Sequence, residues 1–137
     1  MTERHESGSA PHVLFVAHGS RVGLWNDVAT AFRVEAADSM SECTVEMCFL
    51  AFGEPTFEVA VANAIAAGCQ TVYVQPLLLA PGGHILDDID GRLEGVRERH
   101  ADVEIRRLGT LLELDDVRTG LLAAVRRHFV GAVEDGE

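Results

Sequence analysis

His18, Glu54 and His84 are the residues of this 137-residue chain whose types could do chemistry together. Each closely follows an apolar run: His18 in Ala17-His18-Gly19-Ser20-Arg21, Glu54 in Gly53-Glu54-Pro55-Thr56, and His84 in the stretch from Ala80 to Ile89. Two imidazoles and a carboxylate form a nitrogen and oxygen donor set suited to a borderline divalent ion, with a coordination position left open. Gly19 permits a tight turn after His18, and Gly82 and Gly83 would let the backbone approach a bulky ligand closely. Asp87 and Asp88 lie on the face of His84 if a helix starts there. Either could accept a ring N–H and fix the tautomer, or serve as a first-turn acid favoured by the helix dipole. Arg21 could grip a ligand carboxylate through two hydrogen bonds, or serve the turn with Ser20. Trp25 could face a ligand or staple the first helix to the core. Each feature alone has a plainer explanation, since single residues are weak signals and an acid before Pro55 suits a helix start anyway. The histidine pair shifts the balance. His5, His12, His100 and His128 fit no comparable spacing.

Residues at such positions need a scaffold that brings the ends of several strands together. The hydrophobic pattern switches repeatedly between continuous apolar runs and helical periodicity, the signature of strands buried on both faces alternating with amphipathic helices. The expected strands are His12 to Ala17, Thr44 to Phe52, Thr71 to Leu79 and Val103 to Arg107. Pro76 cannot donate to a sheet ladder, so the third should end or bulge near Gln75, leaving Leu77 to Pro81 as an extended arm. The helices are marked by Leu24, Val28, Ala31, Phe32 and Ala36, by Phe57, Ala60, Val61, Ala64 and Ile65, by Ile85, Ile89, Leu93 and Val96, and by Leu114, Val117, Leu121, Val125 and Phe129. Gly68 suits a helix C-terminus. Four βα units of about 30 residues each account for the chain. The expected fold is α/β: a small four-stranded parallel sheet with helices on both faces. Ligands of such sheets sit at the carboxyl ends of the strands, where His18, Glu54 and His84 fall. One domain spans 12–130, between a flexible tail at 1–11 and an acidic tail at 131–137.

Composition narrows the chemistry. The net charge is −11, and no basic run longer than a pair occurs, which argues against a nucleic-acid partner. No apolar run approaches the roughly 20 residues of a membrane span. The N-terminal segment lacks the pattern of a secretory signal, so a cytoplasmic location is expected. Three cysteines, Cys43, Cys48 and Cys69, make no C-x-x-C and suggest buried thiols in a reducing compartment. All 11 positive residues are arginine, which removes lysine-based covalent catalysis. There is no G-x-x-x-x-G-K-[ST] and no G-x-G-x-x-G, so no nucleotide is expected.

Taken together, A-H-G-S-R after the first strand, F-L-x-x-x-E-P after the second and P-L-L-L-A-P-G-G-H-I-x-x-D-I after the third resemble the short form of the sirohydrochlorin chelatase family. The resemblance runs from about Val13 to Phe129 and includes Leu108-Gly109 after the fourth strand. It implies ATP-independent insertion of cobalt, iron or nickel into sirohydrochlorin, for cobalamin, siroheme or a related cofactor. It further implies a homodimer holding the ring between subunits. His18 and His84 match the family's two active-site histidines, and Glu54 its acidic position. One departure is Asp90, where family members often carry proline.

The chemistry agrees with the residues. Two pyrrole N–H protons must leave as M²⁺ enters, and imidazoles accept protons at neutral pH. In this reading His18 and His84 bind the ion and take the protons, Glu54 assists the metal and Asp88 orients His84. The substrate is a polycarboxylate, so a charge of −11 opposes its capture unless arginines such as Arg21 and Arg92 offset the field locally. A metal or tetrapyrrole carrier with the same ligands but no turnover is the alternative. A phosphoryl-transfer enzyme using His18 lacks an R-H-G arrangement and a basic cluster for phosphate.

Overall fold

The structure, a computed structural model, describes residues 10–136, with side chains to Val130. The expected N-terminal tail therefore lies mostly outside the described residues. The elements are β1 (His12–Ala17), α1 (Gly23–Ser39), β2 (Thr44–Phe49), α2 (Phe57–Ala66), β3 (Thr71–Pro76), α3 (Gly83–Arg99), β4 (Glu104–Arg107), a 3-10 turn (Leu111–Glu113) and α4 (Asp115–Gly136). The expected α/β sheet is present: four parallel strands in the order β2-β1-β3-β4. The strand order reverses beside β1, because β2 lies on one side of it and the chain then crosses to place β3 on the other. Among the described residues no helix is long and apolar enough to cross a membrane.

Alternation along the strands divides the side chains between two faces. Leu14, Val16, Cys48, Val72 and Val74 point to the face covered by α2 and α3, where they pack with Phe57, Ala60, Ala64, Ile89 and Leu93 in one core. Thr56 caps α2 by accepting a hydrogen bond from the Val59 amide at 3.2 Å, and Gly68 follows that helix with a φ of 84°. The opposite face carries Phe15, whose ring meets Phe32 of α1 edge-on at 5.2 Å between centroids.

Two strand ends differ from expectation. β2 stops at Phe49: the Leu50 amide still donates to Ala17 O in the ladder's offset, but the next amide, Ala51, donates to His18 O, each at 3.0 Å, which breaks the alternation of a strand, and Phe52 enters the left-handed region with a φ of 60°. The apolar run Leu50 to Phe52 had the composition of a strand but serves a loop. β4 starts at Glu104. β3 ends at Pro76 as its proline dictates, and Leu77 continues as an arm held by its amide on Val16 O at 2.8 Å. The 3-10 turn braces that arm through Leu111 and Leu112, whose amides donate to Leu78 and Leu79 at 2.9 Å. The turn in turn depends on a capping box in which the Thr110 amide and hydroxyl both donate to Glu113 Oε1, at 2.9 and 2.8 Å. Those bonds hold the Glu113 carboxyl below the usual glutamate range, so the brace weakens as acidification passes through the lowered value.

Two helices do not bury the stripes expected of them. Of the α1 stripe only Ala36 is buried, while Leu24, Val28 and Phe32 are exposed. α4 packs substantially only against the 3-10 turn, leaving Leu121, Val125 and Phe129 exposed. It also runs on to Gly136, into the segment expected as an acidic tail.

Gln75 tests how β3 and β4 are joined at their carboxyl ends. Its buried Nε2 donates to Pro76 O at 2.9 Å and Gly109 O at 2.7 Å. Gln75→Leu should lower stability by about 1–3 kcal/mol by stranding the Gly109 carbonyl, read as a lower urea midpoint with an unchanged m-value.

Candidate functional site

The site edge is built on the three loops that leave the carboxyl ends of β1, β2 and β3. His18 is the first residue after β1, with Nδ1 at 3.0 Å from Gly19 O. When Nδ1 carries the proton and donates there, the Nε2 lone pair is left for a metal or a proton. Gly19 has a φ of 94°, and a Cβ added to it would stand 1.7 Å from Ala51 O. The His18 turn is thus pressed onto the β2–α2 loop in a way only glycine allows.

Asn26, in the first turn of α1, locks these two loops together. Its Oδ1 accepts from the Ser20 amide at 3.1 Å, and its Nδ2 donates to Ser20 O at 3.1 Å and to Phe52 O at 2.6 Å. Sequence reasoning passed over this residue. Its signal was an asparagine inside a helix, where its amide competes with the backbone and so favours caps and turns. Arg21 stacks over the Phe52 ring at 4.8 Å, so its guanidinium is carried on the second loop as well. Beneath lies a cavity of about 320 Å³ lined by His18, Ser20, Trp25, Asn26, Phe49 and Leu77 among others. Trp25 therefore borders the His18 cavity rather than stapling the core, and its exposure is 71%.

His84 stands in the first turn of α3, after Gly82 and Gly83 with φ of 104° and 82°. No side chain caps this helix start and no acid occupies its first turn, so Asp87 and Asp88 are not first-turn acids. Asp88 does not bond to His84 in this structure; it pairs with Arg92 at 2.8 Å. Arg92 also pairs with Glu58 of α2, so its charge is spent between α2 and α3 rather than at the strand ends. Arg107 grips Asp90 through Nε at 2.7 Å and Nη2 at 3.0 Å, tying α3 to β4. At the one departure from the family pattern, the aspartate thus anchors the helix that carries His84.

Glu54 is exposed on the β2–α2 loop, ahead of a cis peptide to Pro55. His18 and His84 are exposed too, and among the described residues no three of His, Cys, Asp and Glu converge on a metal position. The three expected ligands share an edge without forming a closed trio. Cysteine supplies no alternative at Cys48, whose thiol is pushed up to about 12 by burial, with Glu46 and Glu58 adding.

Comparison with known proteins gives a consistent family. The CbiX family model matches residues 12–126. A sirohydrochlorin cobaltochelatase of Saccharolobus solfataricus is 36% identical over 102 residues, covering 74% of this chain and 76% of that protein. A sirohydrochlorin ferrochelatase of Priestia megaterium is 36% identical over 93 residues, covering 68% of this chain but 35% of that longer protein. Among solved structures, a cobalamin (vitamin B12) biosynthesis CbiX protein of Marinobacter aquaeolei shares the fold, with a TM-score of 0.74 at 21% identity over 87% of this chain and 97% of that one. The sirohydrochlorin chelatase SirB of Bacillus subtilis subspecies spizizenii, in complex with cobalt, has a TM-score of 0.65 at 30% identity over 72% of this chain and 42% of that one.

The loop lock can be tested without any ligand. Asn26→Ala should speed hydrogen exchange at the Ser20 and Ala51 amides while leaving Val74 protected. Gly19→Ala, strained in φ and driven against Ala51, should cost roughly 1–3 kcal/mol by chemical denaturation.

Proposed function

The chain belongs to the CbiX family, and on that premise we propose that it inserts Co²⁺, Fe²⁺ or Ni²⁺ into sirohydrochlorin, without a nucleotide, as a cytoplasmic homodimer. The observation that carries the reading is the position of the two histidines: they follow β1 and β3, the neighbouring strands at the reversal of strand order, where parallel sheets hold ligands. The metal is a substrate here. In the product four ring nitrogens hold it, so the protein has to present the ion and remove protons rather than retain it. Two exposed imidazoles and an exposed carboxylate on three loops suit that transient task better than a closed ligand cage would.

In the proposed step M²⁺ passes from His18 and His84 to the ring nitrogens, and the two pyrrole N–H protons leave to imidazole nitrogens and then to water. Charge and atoms balance: one dication enters and two protons depart. Glu54 lowers the cost of bringing a partly dehydrated cation to the ring face. Gly82 and Gly83 leave room for the macrocycle. The uncapped start of α3 and the Arg21 guanidinium favour the ring's carboxylates, which answers in part the opposing net charge. The cavity beneath His18 is at the small end of ligand pockets, which run from about 300 to 1,000 Å³. A macrocycle would rest across its mouth, and a second subunit would have to cover the other face.

The test is an anaerobic insertion assay on sirohydrochlorin with each of the three ions, followed by the ring's absorption. Many turnovers per chain without ATP are expected; stoichiometric binding without turnover would instead establish a carrier. His18→Ala and His84→Ala should each slow insertion by about 10² to 10⁴, roughly 3–5 kcal/mol of barrier, in a folded protein. The double variant should be scarcely slower than the worse single one, and His100→Ala nearly unchanged. Near-normal rates in both single variants would remove the histidines from the mechanism.

A further inference from the structure

α2 and α3 cover the same face of the sheet without packing closely on each other, and between them lies a second cavity of about 320 Å³. Its floor is apolar, made by Phe57, Val61 and Val96, which are buried, with Ile65 beside them. Gly91 and Gly95 form part of its α3 wall. Glycine weakens a helix interior, and neither residue has the positive φ that would call for it. Packing does not call for it at Gly91 either, since a Cβ there would meet nothing within 4 Å. What the two glycines achieve is to keep the space between the helices empty.

The two ends of the cavity differ in charge. At one end Arg92 is paired with both Glu58 and Asp88. At the other, Arg99 and His100 line the wall and make no ion pair among the described residues. The Arg99 guanidinium folds back along its own helix, with Nη1 3.5 Å from the place a Gly95 Cβ would take. A helix dipole favours a cation in the last turn, but Arg97 already supplies one on the β4 side, where its Nη2 donates to Ile105 O at 2.9 Å. The return of Arg99 over the cavity is left without that explanation.

We propose that this cavity binds an apolar monocarboxylate, with its hydrocarbon chain on the Phe57–Val61–Val96 floor and its carboxylate on Arg99 and His100. Charge complementarity selects the head, because a guanidinium takes a carboxylate through two parallel hydrogen bonds and a neighbouring imidazole can donate a third. Shape selects a single chain. From Gly91 to Arg99 the helix rises about 12 Å, the length of roughly eight to ten extended carbons. A volume at the small end of ligand pockets admits such a chain and excludes a macrocycle. His84 and His100 stand at opposite ends of α3, about 24 Å apart by helical rise, so the cavity is separate from the histidine edge and its occupancy does not depend on metal insertion.

The experiment is a calorimetric titration of the full chain with hexanoate, octanoate, decanoate and dodecanoate, each below the concentration at which it forms micelles. Every added methylene should tighten binding about fourfold until the floor is filled, after which the gain should stop. Decanol should bind at least tenfold more weakly than decanoate. Arg99→Ala, at an exposed position, should erase that preference for the charged head while keeping the dependence on chain length. Gly91→Leu, which puts a side chain into the cavity from a position open to a Cβ, should abolish decanoate binding without lowering the melting temperature. In isotope-labelled protein, decanoate should shift the amides of Ala62, Gly91 and Gly95 and leave those of Gly19 and Trp25 in place. No binding below millimolar decanoate, equal affinity for decanol, binding that survives Gly91→Leu, or shifts confined to the exposed stripes of α1 and α4 would each overturn the proposal.

Discussion

β1 has to be hydrogen-bonded on both edges, and most of the molecule follows from that. With β2 on one side and β3 on the other, both parallel to it, it is the strand beside which the strand order reverses. The residue that follows it is His18. Parallel pairing also forces each return crossing over a face of the sheet, and on the face covered by α2 and α3 Leu14 and Val16 of β1 are fully buried. A histidine after an edge strand would have had one neighbouring loop to work with; His18 has two.

The enclosed centre is rigid, and the loops around it are made rigid by short polar links rather than by more core. Asn26 ties the first loop to the second. The 3-10 turn ties the arm before His84 to the segment after β4, and Arg107 ties α3 to the same strand. Each link satisfies backbone or charged groups that would otherwise face water or each other. On the proposed function, exposed side chains held on braced loops would meet a large flat substrate without a cavity deep enough to hold it.

The class of fold was legible because buried parallel strands and amphipathic helices differ in period, and the residues His12 to Ala17 or Phe57 to Ile65 leave little ambiguity. The proline rule placed the end of β3 correctly. Periodicity failed where apolar residues are not buried in a single chain: the stripes of α1 and α4 had the pattern of core-facing helices, and most of their members are exposed. A hydrophobic stripe states that something must cover it, not what. Leu50 to Phe52 failed for a related reason, since composition cannot tell a strand from a loop whose amides have been claimed by its neighbour. At the site, the turn signals around His18, Glu54 and His84 were visible as motifs. The pairing of Asp88 with Arg92 has the i,i+4 spacing of a helical ion pair, whereas Glu58, which completes that cluster, belongs to a different helix and was not legible.

The acidity of the chain sets a last constraint on how the site works. With 22 acidic and 11 basic residues, the average field repels a polycarboxylate and attracts a dication. Many of the arginines are engaged in ion pairs with Asp88, Asp90, Glu104 and Asp115, which removes them from long-range steering. Favourable terms for the ring must then be local, and two of them sit beside the histidines: the uncapped amides at the start of α3 and the Arg21 guanidinium held on Phe52. A negative protein with a small positive rim would draw the metal ion from solution while orienting the ring by its carboxylates. On the proposed function, the same field would lower the cost of gathering positive charge on two imidazoles as the pyrrole protons leave, so that the net charge hindering capture of one substrate would favour delivery of the other.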